Sequence, residues 1–401
     1  MSLADAKNGD FSLNRAELIA ESRRVVVKVG SGVLTTPGQG LDWGRVRLLA
    51  GQLARLAVEG RQVLLVSSGA VASGRAKAGL PLDHDLSLNE KQAVAALGQA
   101  GLMQAYEDAF ADHNKKVAQV LLTAADLRSR PRFVNARSTL YTLLDWGVIP
   151  IVNENDTVSV AEIKLGDNDN LAAMLTNLLG AELMINLTNV DGILDADPRQ
   201  NPQAKRIPVV EKVDAELLKA ASAQPGAVGL GGILSKVRAA DKVARCGAHT
   251  IVANGLRDDI LDRLSAGDDL GTLFLPRSSR LTSRKHWIAF AAEGHGEVVV
   301  DEGAVRPLVE RGKSLLAAGV REVRGDFNPG SAVKVLGPGD CILGVGLCNY
   351  SSGELRNVMG LRSEQIAQRL ERNQADEVIH RDNLVVFDLD EEESVACLLN
   401  N

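Results

Sequence analysis

Two lysines stand where a lysine is expensive. Lys28 interrupts the apolar run "VVVKV" (25–29), with Gly30, Ser31 and Gly32 directly behind it. An ammonium group in such a run costs free energy unless it meets an anion. Lys236 falls in the first turn of a helical pattern that follows "GLGG" (229–232), where the helix macrodipole disfavours a cation that faces no anion. A third stretch, "VSSGAVASGR" (66–75), runs from apolar residues through Ser67, Ser68 and Gly69 into another helical pattern. Backbone N–H groups and a helix start hold anions in that arrangement. Each feature also has a plain structural reading: a lysine reaching solvent from an edge strand, a capped turn, an exposed first-turn lysine. Two glycine turns after two strands shift the balance toward a phosphate or carboxylate cradle. The pattern is neither GxGxxG nor GxxxxGK[ST], so it is not a standard dinucleotide or Walker loop.

The opposite charge is concentrated in "VNENDTVSV" (152–160), which holds Asp156, and "GDNDN" (166–170), which holds Asp167, Asn168, Asp169 and Asn170. One of these side chains is enough to cap the helix that follows. The rough alternation of "TVSVAEIKLG" between them suggests a hairpin that brings the two polar clusters together. A calcium loop needs alternating ligands, a glycine and a distant glutamate, and Leu171 breaks that pattern.

These residues need a scaffold, and the pattern supplies one. "VVVKV", "VLLVSS" (63–68), "VAQVLL" (117–122), "VIPIV" (148–152), "LMINLT" (183–188) and "TIVA" (250–253) read as buried strands. Helical spacing over 43–60, 89–111 and 132–145 separates them. Alternation of this kind implies crossover units and a mainly parallel sheet covered on both faces, whose carboxyl-end edge is where ligands bind. At "LGTLFLPRSSRLTSRKHW" (270–287) the alternation stops, and short strand-like runs with Gly-rich turns follow. The expected organisation is a first domain over 20–275, a linker over 276–286, a β-rich domain over 287–370 and an acidic tail over 371–401. The first 20 or so residues read as a polar lead-in.

The bulk numbers exclude several classes. The chain has 401 residues, 24 % charged, with a formal net charge of −6, so no global basic field attracts nucleic acid or an acidic membrane. No signal peptide and no apolar run of about 18 residues is apparent. The four cysteines form no CxxC pair, which argues against a zinc site or a disulfide framework and fits a reducing cytoplasm.

"VVKVGSGVL", "SSGAVASGR", "QVLLT", "RFVNARSTL", "VIPIVNENDTV", "AEIKLGDNDNLAA", "DGILDADPR" and "GGILSK", in this order and spacing, resemble the amino acid kinase family, and within it the branch that phosphorylates the side-chain carboxylate of L-glutamate. The segments "KHWIAFAAEGHGEVVVDEGAVRPLVERGKSLLAAGV" and "GDFNPGSAVKVLG" resemble the PUA domain of many bacterial members of that branch. The resemblance implies a three-layer α/β/α sandwich followed by a small PUA-like domain. It implies catalytic Lys28 and Lys236, neutralising the transferring phosphoryl group, with Asp169 positioning both. Ser68, Asp156 and Asn168 would bind glutamate. ATP would lie against Lys28, Gly30, Gly69, Thr188, Asn189, Leu230, Gly231, Gly232, Ile233, Leu234, Ser235 and Lys236, with backbone donors from Gly30 and the Gly69 turn. Mg²⁺ would arrive on ATP, with no protein metal site.

Leu230, Ile233, Asn189 and Leu194 depart from the residues common in the family, all on the nucleotide side. By the same resemblance the protein is a cytoplasmic homo-oligomer, a dimer or tetramer, and glutamyl phosphate reductase is a candidate partner. The alternatives are a relative acting on N-acetylglutamate, aspartate or carbamate, and an RNA-binding PUA protein on a vestigial kinase fold. Basic and acidic residues alternate through 284–326, which disfavours a nucleic-acid surface.

Overall fold

The computed structural model describes residues 15–36, 39–81, 84–158, 168–196, 201, 203–223, 232–277, 288, 296–361, 365–366 and 377–387. The chain forms two compact units. The first takes Met1–Ala124, Asn135–Ala244 and Ala248–Pro276, and the second takes Ala125–Val134, Arg245–Gly247 and Arg277–Asn401.

In the first unit the Val-, Ile- and Leu-rich runs extend, as β-branched side chains favour on a pleated surface. The strands are Arg24–Val29 (β1), Gln62–Ser67 (β2), Val117–Leu122 (β3), Ile149–Glu154 (β4), Leu183–Thr188 (β5), Val209–Val210 (β6), His249–Asn254 (β7) and Thr272–Phe274 (β8). They make one eight-stranded sheet in the order β3-β4-β2-β1-β5-β7-β8-β6. Every neighbouring pair is parallel except β7 with β8. The chain passes from β1 to β2 and on to β3 and β4 on one side of β1, then crosses from β4 to β5 on its other side, so the strand order reverses at β1 and a crevice opens at its carboxyl end.

The helices that matter for the site are Arg15–Glu21 (α1), Trp43–Val58 (α2), Ala70–Lys77 (α3), Leu88–Ala111 (α4), Asn168–Leu179 (α5) and Ile233–Arg245 (α6). One face of the sheet presents Val25, Val27, Val29, Ile151 and Ile185 to Val46, Leu49 and Leu53 of α2 and to Leu102 and Tyr106 of α4, all in one core. Strand alternation sends Val26 and Lys28 to the other face, where α5 packs across β1, β2, β4 and β5. Every residue of α5 but Asn170 is buried, as befits a helix covered on all sides. The three-layer α/β/α sandwich with a mainly parallel sheet is therefore present.

The second unit has a five-stranded sheet of Glu297–Val300 (β9), Val320–Arg324 (β10), Ala332–Leu336 (β11), Ile342–Leu347 (β12) and Leu384–Val386 (β13), ordered β10-β9-β11-β12-β13. Its own core gathers Val298, Val333, Val335, Tyr350, Leu355 and Ile379.

Five expectations need correction. β3 is an edge strand, not a buried one, and leaves Gln119 and Leu121 exposed. Residues 15–21 are not part of a polar lead-in: Ile19 of α1 is buried, and Arg15 donates to Leu270 O at 2.5 Å and Pro208 O at 2.9 Å. The stretch that begins at 270 opens with β8, a wholly buried strand too short to show a period. The tail expected over 371–401 supplies structure at 377–387, where Leu384–Val386 pairs with β12 and Glu377–Ile379 pairs with Leu315–Leu316. Cys341 is disulfide-bonded, while Cys246 and Cys348 are free and buried. The start of the lead-in (1–14), most of the expected hairpin at 157–166, the linker from 278 onward and the acidic end (388–401) lie outside the described residues. No helix among the described residues is long and apolar enough to cross a membrane.

Candidate active site

Lys28 of β1 is the register partner of Asn186 on β5, so both side chains leave the sheet on the face that α5 covers. Asp169, in the first turn of α5, is 2 % exposed, and each of its carboxylate oxygens has two donors. Oδ1 lies 2.6 Å from Lys28 Nζ and accepts from Asn186 Nδ2 at 2.9 Å. Oδ2 accepts from Ser235 Oγ at 2.6 Å and from Lys236 Nζ at 3.2 Å. Burial alone would raise this carboxyl's pKa. Lys28 and Lys236, with hydrogen bonds from Lys28 and Ser235, outweigh burial and hold it well below the usual carboxylate range. Two ammonium groups against one carboxylate leave one formal positive charge at the crevice, a centre suited to an anion. Lys236, buried in the first turn of α6, does face an anion, as its position implied.

Beside this centre, Asn168 Nδ2 contacts Ser68 Oγ at 2.9 Å, Asn153 Oδ1 at 3.0 Å and Ser67 O at 3.2 Å. Asn153 passes the chain on, donating to Gln99 Oε1 at 2.8 Å. Gln99 in turn lines a cavity of about 290 Å³ together with Gln119, Glu154, Asp156 and Thr157. Gln99 Nε2, Asp156 Oδ1 and Asn168 Oδ1 are buried with no partner among the described residues, an arrangement that favours a polar occupant. Burial, and then the nearby Glu154 carboxylate, push the Asp156 carboxyl up to about 6. The structure therefore joins Ser68 directly to Asn168, and sets Asp156 on the cavity at the far end of the amide chain.

The glycine turns behave differently from each other. The Gly30 N–H is donated to Leu187 O at 3.0 Å, which corrects the expectation that it offers a free donor. A Cβ on Gly30 would stand 3.5 Å from Leu187 O and 3.6 Å from Lys28 Nζ, ordinary van der Waals contact. Gly69 caps α3 with φ 108 and no side-chain cap, and the first N–H groups of a helix have no partner within it. Thr188 ends β5, and the Asn189 side chain faces Gly32. Ile233 is buried and Leu234 half-buried, both in an apolar cluster with Val210, Val237 and Phe274, so their side chains face the core. Gly232 O lies 2.8 Å from Ser235 Oγ, and Leu194 bridges to Arg206. Asp167, Leu230 and Gly231 lie outside the described residues.

The sequence profile of the amino acid kinase family matches residues 23–254, the span that contains every residue of the lysine–carboxylate centre. This chain belongs to the amino acid kinase family. The profile of the PUA domain matches residues 296–370, within the second unit. The glutamate 5-kinases of Pelobacter propionicus and Geobacter sulfurreducens are 48 % and 47 % identical to this chain over 373 residues, which are 93 % of it and 100 % of each relative. Among solved structures, the UMP kinase of Bacillus anthracis covers 65 % of this chain and 99 % of its own, with a TM-score of 0.43 and 17 % identity.

In this member of the amino acid kinase family the sequence reading missed Asn153, Gln99 and Asn186, none of which it singled out. Gln99 and Asn186 are lone amides inside apolar runs, in "AALGQAGL" and "LMINLT", and Asn153 stands where the run "VIPIV" meets the polar cluster "NEND". An amide where burial is expected was the available signal.

Proposed function

We propose that this chain transfers the γ-phosphoryl group of ATP to the γ-carboxylate of L-glutamate, giving L-glutamyl 5-phosphate, the first step of proline biosynthesis. The observation that carries the reading is the Lys28–Asp169–Lys236 centre at the carboxyl end of β1, in a chain 48 % identical to a glutamate 5-kinase over that relative's whole length. A γ-carboxylate is already ionised at neutral pH. It attacks the γ-phosphorus in line, a carboxylate oxygen–phosphorus bond forms, and the bond to the β,γ-bridging oxygen breaks with its electron pair leaving on ADP. No general base is required.

What remains is positioning and charge neutralisation. Lys28 and Lys236 take the charge of the transferring group, and Asp169 fixes the distance between them. The first-turn N–H groups behind Gly69, with Thr188, Asn189 and the turn from Leu230 to Lys236, hold the nucleotide. Mg²⁺ carried by ATP would neutralise phosphate charge. Ser68 and Asn168 orient the substrate, and Asp156 pairs with its ammonium group. Two carboxyl groups on the cavity, Glu154 and Asp156, favour an acid with a free ammonium over N-acetylglutamate. In this reading the protein is a cytoplasmic homo-oligomer that hands its acyl phosphate to glutamyl phosphate reductase.

The test is ATP- and Mg²⁺-dependent hydroxamate formation with hydroxylamine across glutamate, N-acetylglutamate, aspartate and carbamate. Glutamate-dependent hydroxamate is expected. Its absence would sink the assignment.

A further inference from the structure

The geometry points to Asn186 as a positioning residue for phosphoryl transfer: it orients Asp169 and, through that carboxylate, the Lys28 ammonium group. The inference rests on the kinase reading above and adds a residue to it. Asn186 occupies the middle of β5, a strand whose six residues are all buried, and it is itself 0 % exposed. A leucine or isoleucine would fill that place at no polar cost, yet an amide stands there. Its Nδ2 donates to Asp169 Oδ1 at 2.9 Å, the same oxygen that lies 2.6 Å from Lys28 Nζ. Its Oδ1 is buried with no partner among the described residues. Turning the amide over would aim that oxygen at a carboxylate, so the orientation is fixed by charge.

A half-satisfied amide is what remains when a position is kept for its donor. Without that donor, Asp169 Oδ1 retains only Lys28 on a flexible four-carbon stem. The carboxylate and the ammonium group then share a wider set of geometries. The two atoms still attract, but fewer of their arrangements place the charge where the transferring group needs it.

Asn186→Leu removes the donor at similar volume. The expected result is a melting temperature at or above that of the wild type, kcat lowered roughly tenfold and KM for glutamate unchanged. Acetic anhydride labelling, read by peptide mass spectrometry, should modify Lys28 roughly fivefold faster while Lys242, held by Asn170 at 2.8 Å, keeps its rate. Asn186→Asp supplies a pH signature that a packing role would not. Its introduced carboxyl group donates to Asp169 when neutral and repels it when ionised, so activity relative to wild type should fall as pH rises. A folded Asn186→Leu protein with wild-type kcat, or with unchanged Lys28 labelling, overturns the inference. If the wild type itself forms no hydroxamate, the kinase reading fails, and Lys28 labelling alone judges the role of Asn186.

Discussion

At the scale of single residues, Asp169 is the pivot, because both lysines meet its carboxylate. Lys236→Ala leaves it with Lys28, Asn186 and Ser235 as donors, so the fold should persist. Turnover should fall on the order of a hundredfold or more, as when one oxyanion donor is removed, with glutamate binding retained. Calorimetric titration of glutamate beside the hydroxamate assay separates the two effects. Asp156 sets a pH limit. Its carboxyl is pushed up to about 6 by burial and by Glu154, and in the proposed reading only its ionised form would pair with a substrate ammonium. As pH falls through 6 the free site protonates, so kcat/KM for glutamate should drop tenfold per pH unit below that point and level off above it. In Asp156→Asn that inflection should vanish along with most of the affinity. An inflection that survives the substitution would assign it to another group.

Among elements, two glycines do the placing. A Cβ on Gly98 would stand 1.8 Å from Ala70 O, and one on Gly74 would stand 1.8 Å from Val94 O, so α3 and α4 touch backbone to backbone. Since α3 follows directly on its cap Gly69, this crossing sets the height of the Ser68–Gly69 turn. Gly98→Ala should destabilise by about 1–3 kcal/mol or more and raise KM for glutamate. Gly353→Ala, in the helix Ser352–Val358 where a Cβ meets nothing within 4 Å, should instead stabilise by about 0.5–1 kcal/mol. Thermal denaturation reads both. The contrast marks where sequence ran out. Val- and Ile-rich runs and helical spacing are local properties, so β1, β2, β4, β5, β7, α2 and α4 were legible. "VASGR" looked like part of an anion turn, and nothing local says that its glycine exists to admit α4. The Gly30 donor was misread for the same reason: only the β1–β5 register shows its N–H meeting Leu187 O. Lys28 was legible because a charge inside an apolar run is conspicuous, Lys236 because a cation in a helix's first turn is, and Asp169 because "GDNDN" holds more polar side chains than a cap needs, whereas the amides that align them are not conspicuous.

For the whole molecule, the question is whether the second unit adds a nucleic-acid function to a kinase. It has a core of its own and a PUA profile match, but its surface chemistry argues otherwise. Arg324 is ringed by Glu322, Asp340 and Glu297 at 2.9, 2.8 and 3.7 Å. Lys334 also faces Glu297, Arg356 faces Asp326, and Arg306 faces Glu310. Exposed pairs of this kind contribute little stability, yet they lower the positive potential around Arg324, Lys334, Arg356 and Arg306, in a chain already at −6. Binding to a polyanion gains its free energy by releasing counterions, and only unpaired cations release them. Fluorescence anisotropy with structured RNA at about 50 mM salt should therefore show no saturable binding at micromolar protein, since low salt favours any electrostatic contact. Charge reversal at Glu322 and Asp340 together leaves Arg324 with Glu297 alone and should create a weak affinity that disappears as salt rises. A wild-type complex whose affinity falls steeply with salt would instead mean that the cations of this unit are available to phosphate despite their carboxylate neighbours.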